Sequence, residues 1–149
     1  MRDFLFRGKE KSACIWVYGN LIQVGSYCCI LEREEDLHPM DVPFLDDDIG
    51  WIDGKATPVD PKTVGQFTGL FDKNGKKIFE GDVVKTKFGR LCIVVWFSTR
   101  AYSGWDLTVV NHYHNVRYTT APTDYDMWGS DNLEVVGNIH DNPEYLEVK

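Results

Sequence analysis

Two histidines, His112 and His114, stand two residues apart in the stretch HYHNVRY. On a strand that spacing puts both imidazoles on one face, an arrangement a divalent metal can use. Further ligands would have to come from His38, His140, Cys92 or an acid, and no spacing singles one of these out. The same residues suit the polar face of an exposed hairpin strand, so neither metal nor any other cofactor is expected. Asp72-Lys73-Asn74-Gly75-Lys76 has the outline of a calcium loop. An EF-hand loop, however, needs an oxygen donor at its fifth place and glycine at its sixth. Here lysine is fifth and glycine fourth, so the segment reads as a hairpin turn. Asp46-Asp47-Asp48 reads as a solvated acidic run.

Nucleophiles are no better placed. Ser12, Ser26, Ser98, Ser103 and Ser130 sit in no GxSxG elbow. Cys14, Cys28, Cys29 and Cys92 form no CxxC pair and lie within apolar runs such as CIWV, YCCIL and LCIVVW. They read as reduced core thiols, with no neighbouring base to lower a thiol pKa. Neighbours on a strand point to opposite faces, so Cys28 and Cys29 are not expected to bond to each other. No phosphate-cradling GxxxxGK[ST] or GxGxxG loop is present. The chain is expected not to be an enzyme.

A binding surface remains. Lys73, Lys76, Lys77, Lys85, Lys87 and Arg90 gather around Asp72, Glu80 and Asp82, making a local basic patch. Charged strand edges also prevent edge-to-edge pairing, so the patch has a structural reading too. Trp96, Phe97, Tyr102, Trp105, Tyr113, Tyr118, Tyr125 and Trp128 crowd one region. Trp96 ends an apolar strand and reads as core; Trp128, in the polar stretch YDMWGS, reads as exposed. Lys73, Lys76, Lys77, Lys87, Arg90 and Trp128 are the candidate binding residues. Cations beside aromatics can form a platform for single-stranded nucleic acid. Yet sixteen basic residues face twenty-three acidic ones, a net charge of −7, which gives no general attraction to phosphate. An unidentified protein partner, or a second copy of the chain, is therefore favoured over nucleic acid.

The elements that must position these residues are mostly short strands. At 149 residues the chain suits one domain, or one domain plus a closely packed extension. Its 43% hydrophobic and 13% aromatic content can build a core without a metal or disulfide staple. Phe4 to Phe6 and Ile15 to Tyr18 read as a hairpin joined by a polar turn; Gly19-Asn20 reads as another turn, before strands at Leu21–Val24 and Tyr27–Leu31. Residues 32–60 are acidic and proline-interrupted, and read as a long irregular excursion, with one short strand at Gly50-Trp51-Ile52. Asp60 and Pro61 then suit the start of a short helical turn. The run Leu91 to Trp96 reads as a strand buried on both faces. Strands follow at Trp105–Val110 and Val116–Thr119, with Leu133 to Ile139 as the last strand and a helical turn from Asp141. No amino-terminal signal segment and no apolar run of membrane length is seen, so a cytoplasmic location without membrane contact is expected.

From Gln66 the sequence QFTGLFDKNGKKIFEGDVVK alternates turns and strands with almost no slack. Gly69, Asp72, Asn74, Gly75, Gly81 and Asp82 are the turn residues, structural and not catalytic. Glycine corners between short bent strands are how a small SH3-like barrel is built. The stretch TVGQFTGLFDKNGKKIFEGDVVK from Thr63 resembles the signature of the YopX-like proteins of bacteriophages and prophages. FRGK at Phe6, WVYG at Trp16 and the tail NLEVVGNIHDNPEYL from Asn132 are similar to that family as well. The resemblance implies an accessory protein of unassigned activity, located in the bacterial host cytoplasm, with an SH3-type barrel over most of Gln66 to Ile139. The expected architecture is therefore mainly β. Residues 1–65 are hairpins plus the acidic loop packed on the barrel, and residues 66–149 are the barrel. Its many large aromatics exceed what a small core can enclose. That points to a homo-oligomer with the Trp96–Trp128 region near the interface.

Overall fold

A computed structural model describes residues 4–32, 56–98, 100–101, 103–110 and 132–146. The protein is mainly β: strands take 61% and helical turns 8% of the described residues, all their pairing being antiparallel. The chain divides into two compact units, Met1–Gln66 and Phe67–Lys149.

In the first unit β1 (Phe6–Lys9), β2 (Trp16–Val24), β3 (Tyr27–Glu32) and β4 (Ala56–Val59) pair in chain order. The chain then returns along β1: Val59 bridges Glu10, and the Asp60 N–H donates to the Lys9 carbonyl at 2.9 Å. Past a 3-10 turn at Pro61–Thr63, the start of β5 (Gly65–Phe71) pairs Gly65 with Arg7 and Gln66 with Phe6. The turn follows its local chemistry. Proline supplies the first φ, and the Asp60 carboxylate accepts the Lys62 N–H at 3.0 Å. Val17, Cys28, Ile30 and Val59 form the core, with Phe6, Leu21 and Val64 against it.

Three expectations fail in this unit. Gly19-Asn20 is not a turn; β2 runs straight through it. The glycine serves a close approach instead, since a Cβ at Gly19 would run into the Leu31 carbonyl of β3. The expected irregular excursion contains β4, whose Pro58 sits opposite Cys29. Proline is tolerated there because β4 is the last strand of the order, where a missing N–H breaks no inner ladder. Cys14 is exposed and holds a positive φ of 55°, so it is a turn residue and not a core thiol. Cys28 and Cys29 are buried free thiols, as expected.

In the second unit the rest of β5 pairs with β6 (Lys77–Phe79). β7 (Asp82–Thr86), β8 (Leu91–Ser98), β9 (Ser103–Val109) and β10 (Leu133–Asn138) form a sheet in the order β10-β7-β8-β9. A 3-10 turn at Pro143–Leu146 ends the described chain. Ile78, Val84, Cys92, Val94, Leu107 and Leu133 are the core, with Trp105 and Val135 packed on it. The expected closure into a barrel is not found among the described residues: β9 and β10 are the two ends of the order, and no described pair joins them. β8 is buried on both faces only from Cys92 to Val94, because β7 covers it no further than Ile93. Among the described residues, no helix is long and apolar enough to cross a membrane.

Candidate functional site

The two signature aspartates face inward and hold backbone. Asp72 is 2% exposed. One carboxylate oxygen accepts the Asn74 and Lys76 N–H groups, both at 2.9 Å, and the other accepts the Val135 N–H of β10 at 2.9 Å. The hairpin turn is thereby tied to the last strand, and the Lys73 N–H adds a bond to the Leu133 carbonyl at 2.9 Å. Burial alone would raise the Asp72 pKa. The N–H groups of Val135, Lys76 and Asn74, together with the Lys76 charge, outweigh it and hold the carboxyl below its ordinary value.

Asp82, 1% exposed, accepts the Phe79 N–H at 2.7 Å and so closes the Glu80-Gly81 turn. Gly81 donates to the Val94 carbonyl and accepts from the Ile139 N–H, each at 2.9 Å, so this corner joins β8 and the end of β10. Gly69, Gly75 and Gly81 hold φ of 87°, 79° and 88°, the left-handed region. These residues shape the backbone.

The cations of the patch are exposed, and the strand registers bring them together. Leu133 lies opposite Thr86, and Glu134 opposite Lys85. The Asp72–Lys76 turn, bonded to Leu133 and Val135, therefore lies at the same end of the sheet as the Thr86–Arg90 turn that links β7 to β8. Lys73 pairs with Glu134 at 3.1 Å. Lys77 lies over the rings of Phe67 and Phe71, at 5.8 and 5.7 Å from their centres, and Lys87 over Phe88 at 5.1 Å.

Phe71 is 45% exposed and Phe88 78%. Neither is among the aromatics that crowd the Trp96–Trp128 region of the sequence. Phe88 had a signal, since it stands in a polar turn, KFGR. Phe71 had none. It lies past a bulge in which β5 takes four steps, Phe67 to Phe71, against two on β6, Phe79 to Lys77, and its ring packs edge-on against Phe67 with centres 5.6 Å apart. In this bulge the Thr68 hydroxyl donates to the Ile78 carbonyl at 2.8 Å and accepts the Leu70 N–H at 3.2 Å.

At the far end of β8 the expectation for Trp96 fails. It is 52% exposed, paired across the ladder with Trp105 and edge-on to it, with ring centres 5.0 Å apart. His112, His114 and Trp128 lie outside the described residues, as do Asp46 to Asp48 and Gly50 to Ile52. Among the described residues no group of three or more His, Cys, Asp or Glu side chains could hold a metal ion.

The crystal structure of protein EF1440 from Enterococcus faecalis is similar at 18% identity and a TM-score of 0.44, covering 99% of this chain and 100% of that one. No curated protein matches. A family model described as YopX protein matches residues 5–147, nearly the whole chain, including the signature hairpin. The chain belongs to the YopX protein family.

Proposed function

We propose that this is a non-enzymatic phage or prophage accessory protein of the host cytoplasm that works as a self-associating interaction module. Its contact surface is the outer end of the β8–β9 hairpin. One observation carries the reading: Trp96 keeps half its surface in water while edge-packed on Trp105. Tryptophans anchored in this way are what interfaces use, because the ring is already fixed and little entropy is lost on docking. A second copy is the simplest occupant, since one self-complementary patch then covers two surfaces. The signature acids fit the non-enzymatic part, both being occupied by backbone N–H groups.

Light scattering at micromolar concentration tests it. The expected mass is a multiple of one chain, and Trp96→Lys is expected to return it to a single chain that still unfolds cooperatively. A single-chain mass that does not change with concentration overturns the proposal.

A further inference from the structure

We propose that the opposite end of the second unit binds single-stranded nucleic acid, with Phe71 and Phe88 stacking on bases and Lys76, Lys77, Lys87 and Arg90 contacting phosphates. The observation behind it is a juxtaposition made by the fold. The Asp72–Lys76 and Thr86–Arg90 turns are separate in sequence, yet the β10–β7 and β7–β8 registers set them at one end of one sheet. The same unit stands at each turn, an exposed phenylalanine with a lysine over its ring: Phe71 and Lys77 flank the first, and Lys87 and Phe88 lie in the second.

That unit matches what a single strand offers, a flat base flanked by phosphate. Stacking is indifferent to sequence because every base has a π-face, and the cation answers the phosphate. A folded, duplex ligand would present phosphates without bases, leaving both rings unused. A chain with net charge −7 attracts phosphate only where its acids are neutralised. Asp72 lies in the first turn, and Glu134 reaches that turn through Lys73. Asp72 is buried and bonded to three N–H groups, and Glu134 is paired with Lys73. Lys76, Lys77, Lys87 and Arg90 are exposed.

Fluorescence anisotropy of the full chain with labelled oligo-dT and oligo-U of about 20 nucleotides tests the site. At about 50 mM salt the expected dissociation constant is on the order of 10 μM, and log affinity should fall against log salt with a slope near −3, about 0.7 per contact for four contacts. The double reversal Lys77→Glu, Lys87→Glu should lower affinity at least about tenfold and halve the slope. Phe88→Ala should weaken oligonucleotide binding by about tenfold while leaving heparin binding unchanged. The melting temperature checks that each variant is folded, and Lys77→Gln, Lys87→Gln replaces the reversal if that chain does not fold. No binding at about 50 mM salt overturns the proposal. So does binding that the lysine variants leave intact, or a Phe88→Ala chain that binds oligonucleotide as the parent does.

Discussion

A carboxylate that accepts several backbone N–H groups is harder to protonate than one in water, and Asp72 accepts three. Its pKa in the folded state lies below the ordinary 3.8. The stability it contributes is therefore complete above the unfolded value and is lost as pH falls through the folded one. Asp72→Ala should cost about 3 kcal/mol at neutral pH, because bonds to a charged group contribute about 1.5–3 kcal/mol and the three are not additive. The gap between parent and variant in urea denaturation should narrow below pH 3.8. A gap constant from neutral to acid pH would show that the charge plays no part. The turn role of Asp72, Asn74 and Gly75 was legible in the sequence because turn chemistry is local. The bond from Val135, sixty-three residues away, was not. Trp96 misled for a related reason. Its apolar neighbours suggested a core, but burial depends on how far the neighbouring strand reaches, and β7 reaches only Ile93.

Strands and turns were read well wherever one stretch of chain decides them. The signature hairpin, the capped turn at Pro61 and the last strand all lie where side-chain alternation and turn residues placed them. β4 was hidden because Pro58 argues against a strand, and only its place at the end of the order makes it admissible. Gly19 was misread because glycine marks both turns and close approaches, and the sequence alone does not separate them. Gly81 is the case in which the turn reading holds. A methyl group there would meet His140 Nε2 and Ile139 Cγ1 at 3.6 Å, ordinary contact, so any cost comes from the backbone. Gly81→Ala should destabilise by about 1–2 kcal/mol, the cost of left-handed backbone in a residue with a side chain. Equilibrium denaturation checks this, with the midpoint falling and the slope unchanged. A cost near zero would mean that the turn relaxes to another conformation.

At the scale of the molecule, net charge was the least informative quantity. The value of −7 averages over the chain and hides the local basic patch that the sequence already shows, and strand register adds that its two turns lie at one end of a sheet. β8 also fixes where the other surface lies. It leaves the basic turn at Leu91 and reaches Trp96 five residues later, about 17 Å away at roughly 3.3 Å per residue. Copies joined through their tryptophan ends would thus hold their basic ends apart and free. Such an arrangement works by avidity. A site too weak to hold a ligand alone acts strongly once a neighbouring site keeps the same strand within reach, because the second contact forms at a high effective concentration. Longer strands should therefore bind far more tightly than short ones, about 100-fold for a 60-mer over a 15-mer. In the Trp96→Lys chain that length dependence should vanish while affinity for the 15-mer stays unchanged. Equal affinity for both lengths in the parent chain would mean that each copy binds alone.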